Sequence, residues 1–159
     1  MLQRLHIRNY AIIDDLEITF DRGFNIITGE TGAGKSILMG ALGLVLGNRA
    51  DTSVLFDAGE KCFVEAIFYT GQNKTLSDLL GALDLDDDDS LILRREIAAS
   101  GKSRAFVNDT PVTLQDLKAI ASCLVDLHRQ FDTLSLAKDT FQFEVIDALA
   151  AHPELLRTY

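Results

Sequence analysis

The sequence predicts an α/β fold, and three observations carry that expectation. Several segments alternate apolar and polar residues with the period of two that gives a strand one wet face. Two others, from Lys35 and from Leu114, carry helical apolar patterns. Between the apolar run Phe24 to Thr28 and the first of these helices lies a glycine-rich stretch, Gly29-Glu30-Thr31-Gly32-Ala33-Gly34-Lys35-Ser36. The chain has 159 residues, the size of a single domain. With 47% apolar and 25% charged residues it falls in the globular range, which excludes disordered, collagen-like and disulfide-scaffold classes.

Arg4, His6 and Arg8 alternate with Leu5 and Ile7, so the chain opens on a strand. Leu16, Ile18 and Phe20 repeat the pattern against Glu17 and Thr19, and Asp21-Arg22-Gly23 reads as a tight turn. Phe24 to Thr28 is apolar without alternation, the pattern of a buried central strand. From Lys35 to Leu46 the chain is apolar nearly all round, which predicts a buried helix stopped by Gly47.

Strands are predicted again over Cys62 to Tyr69, Leu91 to Ile97 and Arg104 to Val107, the last ending in a hairpin turn at Asn108-Asp109. The connection Gly71 to Ser90 carries one short helix around Leu76 to Leu83. Its acidic run, Asp86 to Asp89, lacks the alternate ligands and the glycine of a calcium loop and reads as solvated. Thr113 with Asp116 three residues on marks the start of a helix over Leu114 to Leu124. A short strand, Leu124 to Leu127, and a helix from Phe141 to Leu156, bent by Pro153, complete the reading.

Lys and Arg number 15 against 24 Asp and Glu, a net charge of −9 whose overall field repels nucleic acid, so any DNA contact must be local. Arg4, His6 and Arg8 share a strand face, and Arg94, Arg95, Lys102 and Arg104 cluster in sequence; such runs are usually solvated faces. The longest apolar stretch, Ile37 to Gly47, is too short to cross a bilayer, and no secretory signal opens the chain, so no membrane partner and a cytoplasmic location are expected. Cys62 and Cys123 lack metal or redox spacing and are expected to be reduced, buried and structural.

The glycine-rich stretch matches G-x-x-x-x-G-K-S/T at every fixed position. Glycines there bring successive N–H groups up to phosphate oxygens, and the first turn of the helix adds its own donors. Hydrogen bonds to charged groups are worth about 1.5–3 kcal/mol each, against about 0.3–1 kcal/mol for the helix dipole. Directed N–H groups from Gly29 to Ile37 and the Lys35 ammonium therefore dominate binding. Lys35 is placed for the β- and γ-phosphates of ATP, and the Ser36 hydroxyl for Mg²⁺. Phosphoryl transfer also needs a group that orients water. Asp126 stands where a simple P-loop protein keeps its Walker B aspartate, and Gln130 offers a different means of reaching Mg²⁺ and water; spacing alone does not separate them.

The loop, followed by Ala41-Leu42-Gly43-Leu44 and Gly47-Asn48-Arg49-Ala50, resembles the N-terminal head segment of the RecN family, bacterial DNA double-strand-break repair ATPases similar in plan to SMC proteins. So do Leu5 to Ile13, Leu93 to Ile97, Gly101 to Asn108 and Leu124 to Gln130, a coverage of nearly the whole chain. The resemblance implies a P-loop NTPase of the ABC/SMC head type: an N-terminal lobe over 1–150, with a mixed sheet and an antiparallel β-subdomain around a buried P-loop helix. Residues 151–159 would begin a coiled-coil arm.

The same resemblance makes Gln130 the Q-loop glutamine, a catalytic and Mg²⁺-binding residue with Lys35 and Ser36, and leaves Asp126 at a strand end. Here His128-Arg129-Gln130-Phe131 replaces the family's His-Gly-Gln-His, and Arg49 falls where SMC-like heads carry an arginine. The implied cofactors are ATP and Mg²⁺. The implied partners are the C-terminal lobe of the same protein, which holds the signature and Walker B motifs, a second head in a homodimer, and DNA engaged by the full-length protein at the nucleoid. Two other readings stand beside this one: a self-contained P-loop NTPase using Asp126, and an assembly module with exposed sheet edges.

Overall fold

The structure is a computed structural model and describes residues 1–29, 34–49 and 54–127. Alternation does what the sequence implies along the first two strands, β1 (Leu2–Tyr10) and β2 (Ile13–Thr19). They pair antiparallel with Ile7 opposite Leu16 and Tyr10 opposite Ile13. The chain reverses between them through Asn9 and Ala11, whose φ values of 54° and 56° are positive. Helix α1 (Lys35–Val45) follows the glycine-rich stretch. Then come β3 (Cys62–Tyr69), α2 (Lys74–Ala82), β4 (Ser90–Ile97), β5 (Ser103–Val107), β6 (Thr110–Val112) and α3 (Leu114–Leu124).

The strands form one six-stranded sheet in the order β2-β1-β3-β4-β5-β6, every pair antiparallel. This is the antiparallel β-subdomain of the expected fold, and it belongs to a single unit, Met1–Val125. Helix α1 packs on β1, β3 and β4, α3 on β5, and α2 on α3. The covered face carries Leu5, Ile7, Val64, Phe68, Leu91, Leu93 and Val107, all buried. Each such side chain contributes about 1.5–3 kcal/mol by leaving water. The opposite face is a ladder of exposed or half-exposed ion pairs: Arg4 reaches Glu17 and Glu65, Arg8 reaches Glu60, and Lys61 and Arg94 both reach Glu96. Pairs of that kind are worth about 0–1 kcal/mol, so burial on the helix side dominates the stability.

Local capping agrees with the sequence. Thr113 accepts from the Asp116 N–H and the Asp116 carboxylate accepts from the Thr113 N–H, a closed capping box. Asn73 caps α2 by accepting from the Leu76 N–H and donates to the Cys123 carbonyl at 3.0 Å, tying the start of α2 to the end of α3. Asn108, at φ 52°, closes the β5–β6 turn and exchanges hydrogen bonds with Ile92.

Three expectations need correction. Phe24 to Thr28 forms no strand: Phe24 is 88% exposed and Ile26 71%. A strand buried on both faces needs a neighbour along each edge. Here the turn closed by the paired hydrogen bonds of Asp21 and Asn25 does not return the segment along the free edge of β2. Helix α1 is only half buried, with Ala41, Gly43, Leu44 and Val45 inside and Ser36 and Met39 exposed. Leu124 to Leu127 is no strand either; α3 continues through Leu124 and the Val125 N–H donates to the Ala121 carbonyl. Leu117, Ile120, Ala121 and Leu124 share one helical stripe, so the helical period claims Leu124. The predicted helix from Phe141 to Leu156 lies outside the described residues.

Candidate nucleotide-binding site

The loop is described at its two ends. Gly29 precedes it, Gly34 caps α1, and the Lys35 ammonium donates to the Gly29 carbonyl, so the lysine bridges the loop's mouth. Glu30, Thr31, Gly32 and Ala33 lie outside the described residues. Helix α1 begins without a side-chain cap and without an acidic residue in its first turn. A Cβ placed on Gly34 would meet no described residue within 4 Å. A helix start without a side-chain cap, an ammonium and an exposed Ser36 fit a phosphate chain. Ile37 is half-buried against the core and roots the first turn.

The rest of α1 is fixed by two close approaches. Tyr10, buried at the end of β1, puts its hydroxyl where a Cβ on Gly40 would sit 2.6 Å away, so a larger residue at 40 would separate helix from strand. At the far end Gly47, at φ +97°, lies against Lys118 of α3. Burial, with a contribution from the Cys62 thiol, raises the Tyr10 hydroxyl above its ordinary pKa, and burial alone pushes Cys62 up to about 11. Cys62 is thus the inert, buried cysteine of the expectation, whereas Cys123 is half-exposed.

The other expected site residues are not gathered by the described part. Gln130 lies outside it, and Asp126 opens a second unit, Asp126–Tyr159. Arg49 is exposed beyond the turn that follows α1. Of the basic clusters, Arg4, Arg8 and Arg94 are engaged by carboxylates, His6 Nε2 lies 2.8 Å from Asp15, and Arg94 stacks 4.7 Å above the Phe106 ring. Arg95 points to the opposite face of the sheet from Arg94 and is buried.

Two structural residues escape the sequence reading. Asn9 is buried and makes three hydrogen bonds, donating to the Asp57 and Glu60 carbonyls and accepting from the Asp57 N–H. With the Ala11 N–H donating to the Val54 carbonyl, it holds residues 54–60 against the β1–β2 turn. Arg95 was detectable by counting, because it occupies a core-facing position between Leu93 and Ile97.

A helix following a glycine-rich loop and lying on an antiparallel sheet is a fold with counterparts among solved proteins. A chain solved in work on the ATP-driven dimerization and DNA-stimulated activation of SMC ATPases superposes with a TM-score of 0.66 at 19% identity, over 93% of this chain and 98% of that one. The chain belongs to the AAA domain family, whose sequence pattern matches residues 4–150. It is similar to the DNA repair protein RecN of Haemophilus influenzae, 43% identical over 98% of this chain and 28% of the relative. RecN of Vibrio cholerae is 40% identical over 99% of this chain and 28% of its own length. The chain therefore spans about a quarter of the curated relatives it matches.

Proposed function

We propose that this chain is the ATP-binding N-terminal lobe of a head in a RecN-like DNA repair ATPase, with residues 1–150 forming the lobe and 151–159 leading into a coiled-coil arm. The observation that carries the reading is the complete phosphate-loop motif leading into a helix start without a side-chain cap, with Lys35 donating to the Gly29 carbonyl. In this reading the amides from Gly29 to Ile37 cradle the triphosphate and Lys35 holds the β- and γ-oxygens. Ser36 and Gln130 hold Mg²⁺, which when bound neutralises phosphate charge. Gln130 also orients the attacking water.

The C-terminal lobe of the same polypeptide supplies the signature and Walker B groups. ATP draws two such heads into a homodimer, and the full-length protein engages broken DNA in the cytoplasm at the nucleoid. The similarity to RecN across the chain and the SMC-type fold support this assembly. Among the described residues no helix is long and apolar enough to cross a membrane.

Titration of the chain with a fluorescent ATP analogue tests the proposal. Losing one charge-assisted contact of about 1.5–3 kcal/mol should weaken binding roughly 10- to 150-fold in Lys35→Ala. Unchanged affinity would remove the assignment. The chain alone should hydrolyse ATP scarcely at all; brisk turnover abolished by Asp126→Asn but not by Gln130→Ala would replace this reading with a self-contained NTPase.

A further inference from the structure

Among the described residues only Asn9 and Arg95 are polar and buried, and the hydrogen bonds of Asn9 are accounted for. Arg95 differs. It is 4% exposed, it takes part in no ion pair or hydrogen bond among the described residues, and its Nε is enclosed with no partner. A buried cation without a counter-charge is strongly unfavourable. Its position explains how it is tolerated, since Arg95 lies at the wall of a cleft of about 700 Å³ between the β5–β6 hairpin and the first turn of α3. Burial also lowers the pKa of its guanidinium, which a bound anion would reverse.

The cleft has a definite chemistry. Arg95 is the guanidinium on the cleft's side of the sheet, since Arg104 stands opposite Glu96 on the other face; among the described residues no carboxylate lines the cleft, while Pro111, Val112 and Leu114 give it apolar walls. The α3 N-terminus contributes less, because the capping box already occupies the Thr113 and Asp116 amides. Recognition must therefore come from the guanidinium, whose planar fork pairs bidentately with phosphate oxygens. The volume is that of a small-molecule site, far larger than a bare phosphate needs, and the walls call for an organic body.

We propose that this cleft is a second anion site, separate from the Gly29–Ser36 loop, that takes the phosphate group of a phosphomonoester with a compact apolar body. The reporter is the Arg95 Nε–H resonance in ¹H–¹⁵N spectra of the 159-residue chain, titrated with inorganic phosphate and with phenyl phosphate, in the parent and in Lys35→Ala. Phenyl phosphate should shift Arg95 Nε–H and the amides of Ala105, Val112 and Leu114 equally in both proteins. It should bind at least tenfold more tightly than inorganic phosphate and lose at least tenfold in Arg95→Met. Equal affinity for the two probes would overturn the organic ligand. A motionless Arg95 Nε–H in the parent, or shifts confined to Gly29, Gly34 and the first turn of α1, would overturn the site itself without touching the ATP assignment.

Discussion

Replacing Gly47 by alanine should unsettle the unit, because backbone strain and a close approach to α3 add up at this position. Gly47 is buried at the end of α1, with φ +97°. A non-glycine residue in left-handed backbone costs about 1–2 kcal/mol; φ here lies well past the usual +57°, which puts the cost at the upper end. The added Cβ would stand 2.8 Å from Lys118 Cγ, 3.2 Å from its Cβ and 3.3 Å from its Cα. The Cγ can swing aside, but the Cα is backbone, so α3 must retreat by tenths of an ångström, an overpacking cost of about 1–3 kcal/mol. The sum, roughly 3–5 kcal/mol, is a large part of a domain's 5–15 kcal/mol, and corresponds to a fall in Tm on the order of 10–20 °C. Urea and thermal melts followed by circular dichroism measure it. Gly81→Ala is the control: it lies in α2, where an added Cβ meets nothing within 4 Å, and it should gain up to about 1 kcal/mol of helix propensity. If Gly47→Ala melts within about 0.5 kcal/mol of the parent, the reasoning about α1 and α3 is wrong.

Asn9→Gly keeps the positive φ accessible but removes three hydrogen bonds to Asp57 and Glu60, so it should cost about 2–3 kcal/mol and speed hydrogen exchange at the Asp57 amide; protection unchanged there would show that residues 54–60 are held by something else. The raised pKa of Cys62 makes a pH prediction with a definite sign. The folded state holds the proton more tightly, so this contribution is complete below the unfolded thiol's 9.0 and is lost as pH rises through about 11. The urea midpoint should therefore fall between pH 9 and 11, by an amount on the order of 2 kcal/mol, with Tyr10 acting in the same direction; Cys62→Val should flatten the slope, and an unaltered slope would contradict it. At pH 8 iodoacetamide should label Cys123 in the native chain and reach Cys62 only on unfolding, since burial withholds both access and thiolate; equal labelling of the two would refute this.

Elements whose order is set by their own residues were legible in the sequence. Cys62, Val64, Ala66 and Phe68 alternate with half-buried neighbours, and β3 has the predicted bounds. Thr113 and Asp116 announce α3 because a capping box satisfies backbone donors locally. The loop motif was legible because phosphate recognition requires glycine and lysine at fixed spacing. What was illegible depends on distant partners. Phe24 to Thr28 has a strand's composition, yet a strand exists only with a neighbour to hydrogen-bond, and composition does not name one. Leu124 belongs equally to a short apolar run and to a helical stripe, and only the packing of Leu117 and Ile120 decides between them. Asn9 looks like any turn residue until the loop 48 to 51 positions later folds back on it.

Loop, helix and exposed segment together suggest a coupling. Helix α1 is rooted by Gly40 against Tyr10 and Gly47 against Lys118, while its loop end follows the stretch from Phe24 to Thr28, which pairs with no strand among the described residues. Phe24, Ile26 and Ile27 are exposed large apolar residues immediately before Gly29, the carbonyl that receives Lys35. Burying a side chain of that kind contributes about 1.5–3 kcal/mol, so covering all three is worth on the order of 4–8 kcal/mol. That gain would be realised if the C-terminal lobe of the proposed assembly covered them. Fixing residues 24–28 would then fix Gly29, and with it the geometry that Lys35 and the α1 amides offer to phosphate. Ordering entropy spent once by either partner need not be spent again by the other. By linkage, whatever the second lobe adds to nucleotide affinity, nucleotide adds equally to the affinity of the two lobes for each other.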